Sequence, residues 1–90
     1  MENYELYFLR DKDKNEVDFL VTKENKPWFL VEEKHSNNSR ISPQLENFQQ
    51  QTGAKHAFQV VMNMDYVDVD CFSHNKPIIV PAKTLLSQLI

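Results

Sequence analysis

Asn3 to Arg10 is rich in aromatic and apolar residues that divide between the two faces of an extended chain, with Tyr4, Leu6 and Phe8 on one side and Tyr7 and Leu9 on the other, and predicts a first strand. The run Asp11-Lys12-Asp13-Lys14-Asn15 has the chemistry of a turn, and Glu16 to Val21 (EVDFLV) predicts a second strand. Lys23-Glu24-Asn25-Lys26-Pro27 is another polar turn, and Trp28 to Lys34 (WFLVEEK) predicts a third strand. Sequential strands with short connections usually pair, so these three predict a meander.

The period then changes. His35 to Arg40 is a polar loop, and Ser42-Pro43 reads as an N-cap followed by proline at the first helical position. A helix is expected through about Thr52 and ended by Gly53, with Leu45 and Phe48 spaced to face a sheet. His56 to Met62 predicts a fourth strand. Val67, Val69 and Cys71 alternate with Asp68 and Asp70, which admits a further edge strand. Ile78 to Val80 is a short apolar patch before Pro81, and Ala82 to Leu89 admits one or two terminal helical turns. The expected fold is α+β, a mixed sheet of four to five strands in βββαβ order with one main helix.

Composition narrows this. Ninety residues make one domain, 1–90, and 41% hydrophobic content excludes a disordered tail. The single glycine excludes a glycine-rich phosphate loop, and the single cysteine excludes an internal disulfide and a structural zinc site. No apolar run approaches the roughly 18–20 residues of a membrane span, and no signal-peptide stretch opens the chain. No membrane partner is expected, and the expected location is the reducing cytoplasm. A net charge of −3 advertises no basic face, so DNA is expected to bind this chain weakly at most.

The chemistry lies on the second and third strands. Residues two apart share a face, so Glu16 pairs with Asp18 and Glu32 with Lys34, each about 6–7 Å apart along the strand. Trp28 and Leu30 precede Glu32, which places the carboxylate at the end of a buried strand. If the two strands form a hairpin around Lys23–Pro27, Asp18 and Glu32 converge on a divalent cation, with Lys34 beside them. Hard carboxylate oxygens suit Mg2+ or Mn2+ and not zinc. The alternative is solvated acids on a hairpin and a surface ion pair worth about 0–1 kcal/mol. Glu33 points to the other face. His35, His56 and His74 lack ligand spacing and read as surface or strand-end residues. Asp65, Asp68 and Asp70 lack the glycine and terminal glutamate of a calcium loop. Gln44 is a helix residue that either reaches the site or lies on the surface, and Cys71 reads as a small core residue.

An aspartate on one strand, Glu-x-Lys at the end of the next, then a helix and a strand resembles the PD-(D/E)XK nuclease superfamily. More specifically, LRDKDKNEVDFLV followed by PWFLVEEKHS is similar to the C-terminal domain of a large family of bacterial and archaeal AAA-type ATPases. In that family Arg-Asp-x-x-x-x-Glu-Val-Asp-Phe precedes a strand ending in Glu-x-Lys-x-Ser. The matching residues here are Arg10, Asp11, Glu16, Val17, Asp18, Phe19, Glu32, Lys34 and Ser36, and the likeness continues loosely through GAKHAFQVV to Pro81.

The resemblance implies a restriction-endonuclease-like core and metal-dependent phosphodiester hydrolysis on DNA. Asp18 and Glu32 would be metal ligands, Lys34 the electrostatic partner and Glu16 an accessory acid. The superfamily's usual first helix, with its acid, has no counterpart. Glu2 and Glu5 are the only acids upstream, and the P-loop and winged-helix segments of the ATPases are also missing. The expectation is therefore a fragment of a larger ATPase-type architecture. The competing reading is a catalytically silent module that packs against an ATPase body, or against a second copy as a homo-oligomer.

Overall fold

The computed structural model describes residues 3–9, 19–34 and 40–90. Its strands are β1 (Tyr4–Tyr7), β2 (Phe19–Lys23), β3 (Lys26–Lys34), β4 (His56–Val61) and β5 (Ile78–Pro81). Helix α1 (Pro43–Thr52) joins β3 to β4, and α2 (Ala82–Leu89) follows β5. The strands lie in one sheet in chain order, β1-β2-β3-β4-β5. The first three are antiparallel, while β4 runs parallel to both β3 and β5, giving the expected mixed α+β sheet.

Local chemistry explains the connections. Glu24 and Asn25 both have positive φ, 54° and 65°, as a two-residue hairpin turn demands, and they bring Lys23 opposite Lys26. A parallel pair cannot close through so short a turn, so β3 reaches β4 through α1. Ser42 stands at the helix N-cap but its side chain makes no capping bond, and Pro43 supplies the preset first-turn φ. Gly53 ends the helix at φ 74°, its N–H bonded to the Gln49 carbonyl at 2.9 Å.

β4 is paired on both edges and covered on both faces, so all six of its residues are buried, as a central parallel strand requires. On one face Leu20, Leu30 and Ala57 pack with Leu45 of α1 and with Ala54. On the other, Phe29, Val31, Phe58, Val60 and Val80 pack with Cys71 and with Ala82 and Leu85 of α2.

Three expectations need correction. Simple alternation puts Trp28 on the face of Leu30 and Glu32. Instead Val21 lies opposite Phe29 and Thr22 opposite Pro27, so Trp28 is the extra residue of a bulge. It packs on the α2 side, stacked on Phe72 at 5.1 Å between centroids. The alternating segment 67–71 forms no strand, and the fifth strand is Ile78–Pro81. Side chains of α2 take the place of a strand partner there. Thr84 Oγ1 accepts the Val67 N–H at 2.9 Å and donates to the Val67 carbonyl at 2.7 Å. Gln88 accepts from the Cys71 N–H and donates to the Val69 carbonyl. The first strand is shorter than its pattern, Tyr4–Tyr7, and within the expected second strand Glu16, Val17 and Asp18 lie outside the described residues. Among the described residues no helix is long and apolar enough to cross a membrane.

Candidate active site

β3 carries both acidic-site residues the sequence singled out on that strand. Because β3 is flanked by β2 and β4, its middle is buried, and Leu30 and Glu32 are 0% and 3% exposed on the α1 side. Lys34, two residues on, shares that face and lies at the carboxyl end of the strand, where its side chain is 38% exposed. Its Nζ is 3.2 Å from Glu32 Oε1. The contact is an ion pair off the hydrogen-bond line, since Oε1 accepts no hydrogen bond. A buried carboxylate oxygen without a hydrogen bond is costly and calls for an explanation.

The neighbouring strand supplies a residue that sequence reasoning missed. Gln59 of β4 lies opposite Glu32 and is fully buried. Its Oε1 accepts the Ser42 N–H at 2.9 Å and its Nε2 donates to the Arg40 carbonyl at 2.8 Å. It thereby fastens the chain entering α1 to the sheet beside Glu32. The available signal was one amide inside the apolar run HAFQVV. In the first turn of α1, Gln44 buries an Nε2 that has no hydrogen-bond partner. The end of the sheet that carries Glu32 therefore combines a buried carboxylate and a half-exposed ammonium with the start of a helix.

Glu16 and Asp18, the other expected site residues, lie outside the described residues. Phe19, which follows Asp18, pairs with Val31, which precedes Glu32. Among the described residues no three His, Cys, Asp or Glu side chains cluster as a metal cage. Glu33 is exposed on the opposite face. His56 opens β4, as the strand-end reading has it, but is buried and not on the surface: its Nδ1–H donates to the His74 carbonyl at 2.7 Å and its ring stacks over Phe58. Asp65, Asp68 and Asp70 are exposed, and Asp65 lies 4.0 Å from Lys83.

A family profile described as Domain of unknown function (DUF4143) matches residues 1–85. No curated protein and no solved structure matches the chain.

Proposed function

The chain belongs to the DUF4143 family, and from that premise we propose that it is a divalent-metal-dependent nuclease-like domain. The family's description assigns no activity, so the reading rests on this chain's residues. One observation carries it: Glu32 is buried with an oxygen that accepts no hydrogen bond, at a strand end, with an ammonium 3.2 Å away. A fully structural carboxylate at that depth would have its acceptor sites filled by donors. That oxygen faces a partly exposed ammonium and no aligned hydrogen-bond donor, and a hard carboxylate oxygen whose present partner can yield to a metal ion fits Mg2+ or Mn2+.

In this reading Glu32 and Asp18 hold the cation, and Glu16 is an accessory acid. The pairing of Phe19 with Val31 supports the partnership of Asp18 with Glu32. When bound, such a cation polarises a phosphoryl oxygen and lowers the pKa of a coordinated water. Lys34 has the exposure to reach a phosphate and the charge to offset what develops on its oxygens. Gln59 acts as a positioning residue, holding the start of α1 against β3.

The test is Mn2+ binding by calorimetry and Mn2+-dependent cleavage of single- and double-stranded DNA. Asp18→Asn and Glu32→Gln are each expected to abolish binding, and Lys34→Ala to abolish any cleavage while leaving the circular dichroism spectrum intact. Equal metal binding by the two acid variants, or cleavage unchanged by Lys34→Ala, overturns the reading. A second reading, a catalytically silent module of an AAA-type ATPase, is favoured by the exposed apolar residues of β1. A cytoplasmic setting is supported by the free, buried Cys71 thiol.

A further inference from the structure

We propose, on the metal-dependent reading of the Glu32 site, that the Lys34 ammonium occupies the cation's seat and is displaced as a metal binds, so that metal binding itself releases Lys34 toward a phosphate. The site then fills in a fixed order, cation first and phosphate second. The ammonium stands where a cation belongs: Lys34 Nζ is 3.2 Å from Glu32 Oε1, an oxygen shielded from water in a residue only 3% exposed. The strand makes this contact unavoidable. Glu32 and Lys34 are next but one on β3 and share a face, so a side chain as long as lysine reaches back to the carboxylate.

The ammonium is a partner that can yield. Its contact holds by charge alone, since Oε1 accepts no hydrogen bond. An ion pair is weak where one partner reaches water, and the Lys34 side chain is 38% exposed. Mg2+ carries twice the charge of an ammonium and sits closer to its oxygen ligands, at about 2.0–2.1 Å. Two cations at one buried oxygen repel each other, and the one with solvent to move into gives way. The movement is confined to the side chain. Lys34 lies opposite Val61 in the parallel pair of β3 and β4, and its carbonyl accepts the Met62 N–H at 2.9 Å, which pins its main chain. The flexible stem of lysine then carries the charge outward without disturbing the sheet. Released, the ammonium stays beside the carboxylate end of β3, where it can meet a phosphate oxygen.

Calorimetric titration with Mn2+ compares the wild type with Lys34→Met, Lys34→Arg and Glu32→Gln. Lys34→Met keeps most of the stem and removes the competing charge, so it is expected to bind Mn2+ about fivefold or more tightly than the wild type. Lys34→Arg keeps a cation beside Glu32 and is expected to bind no more tightly than the wild type. The NMR signal of the Lys34 ammonium, assigned by its loss in Lys34→Met, separates displacement from plain charge repulsion. As diamagnetic Mg2+ binds, that signal is expected to move to the position it takes in Glu32→Gln, where no carboxylate holds it. Metal binding by Lys34→Met no tighter than by the wild type, or an ammonium signal that stays ion-paired in saturating Mg2+, overturns the displacement and leaves the metal site standing. Absence of Mn2+ binding by both the wild type and Lys34→Met, or binding that Glu32→Gln retains, removes the metal site and the displacement with it.

Discussion

Glu32 meets two opposed demands. As a buried carboxylate with an oxygen that accepts no hydrogen bond, it weakens the fold, and the same oxygen, now beside the Lys34 ammonium, is what a metal ion would use. Glu32→Gln removes the buried charge and gives up an ion pair whose ammonium is already partly in water. The variant is expected to be more stable by about 1 kcal/mol, read as a higher Tm by differential scanning calorimetry. Added Mn2+ should raise the Tm of the wild type and leave that of the variant unmoved, because a ligand stabilises only the state it binds. A lower Tm for Glu32→Gln would mean that the carboxylate is structural. Cys71 gives a second case. Burial, reinforced by the charge of Asp70, pushes its thiol above the usual value. The folded state therefore favours the protonated thiol. That stability is complete below the usual thiol value and is lost as pH rises toward the elevated one. Chemical denaturation on either side of the usual value should show this loss in the wild type and not in Cys71→Ala.

At the scale of elements, what the sequence made legible followed from local chemistry. The hairpin turn, the proline start and glycine end of α1, and the antiparallel pairing of the first three strands are each written in the short segments that join them. The bulge at Trp28 was not, because alternation counts residues and a bulge depends on the partner strand's register. Segment 67–71 misled for the same reason. Val69 and Cys71 pack into the core on the α2 side while Val67 is exposed, and the segment's backbone is satisfied by Thr84 and Gln88 of that helix. Half of the candidate site was legible as Glu-x-Lys, while Gln59 stood out only as an exception within an apolar run. The role of Thr84 makes a direct test. It is fully buried and its hydroxyl makes both bonds to Val67, so Thr84→Val keeps the shape and orphans a backbone N–H and a carbonyl. The expected cost is about 1–3 kcal/mol in urea unfolding, with little change in far-ultraviolet circular dichroism. An unchanged midpoint would mean that water replaces the hydroxyl freely.

At the scale of the whole molecule, the coverage of the sheet is uneven. Helix α1 packs on β3 and β4, and α2 on β4 and β5, so both lie toward the parallel side. β1 is the antiparallel edge, and every one of its residues is exposed. Leu6 is 55% exposed there, and Phe8 just beyond it 80%. An edge strand with apolar side chains is a template for another chain, and charges or prolines are the usual protection. Glu5 is the only charge on β1. A second copy presents the same edge, so the expected outcome is concentration-dependent self-association through β1. Sedimentation velocity should show a weight-average coefficient that rises with loading concentration. Leu6→Glu, at an exposed position, should return it to the monomer value without lowering the Tm. A monomer at every concentration would show that this edge is tolerated bare. An association unaffected by Leu6→Glu would move the contact to another surface.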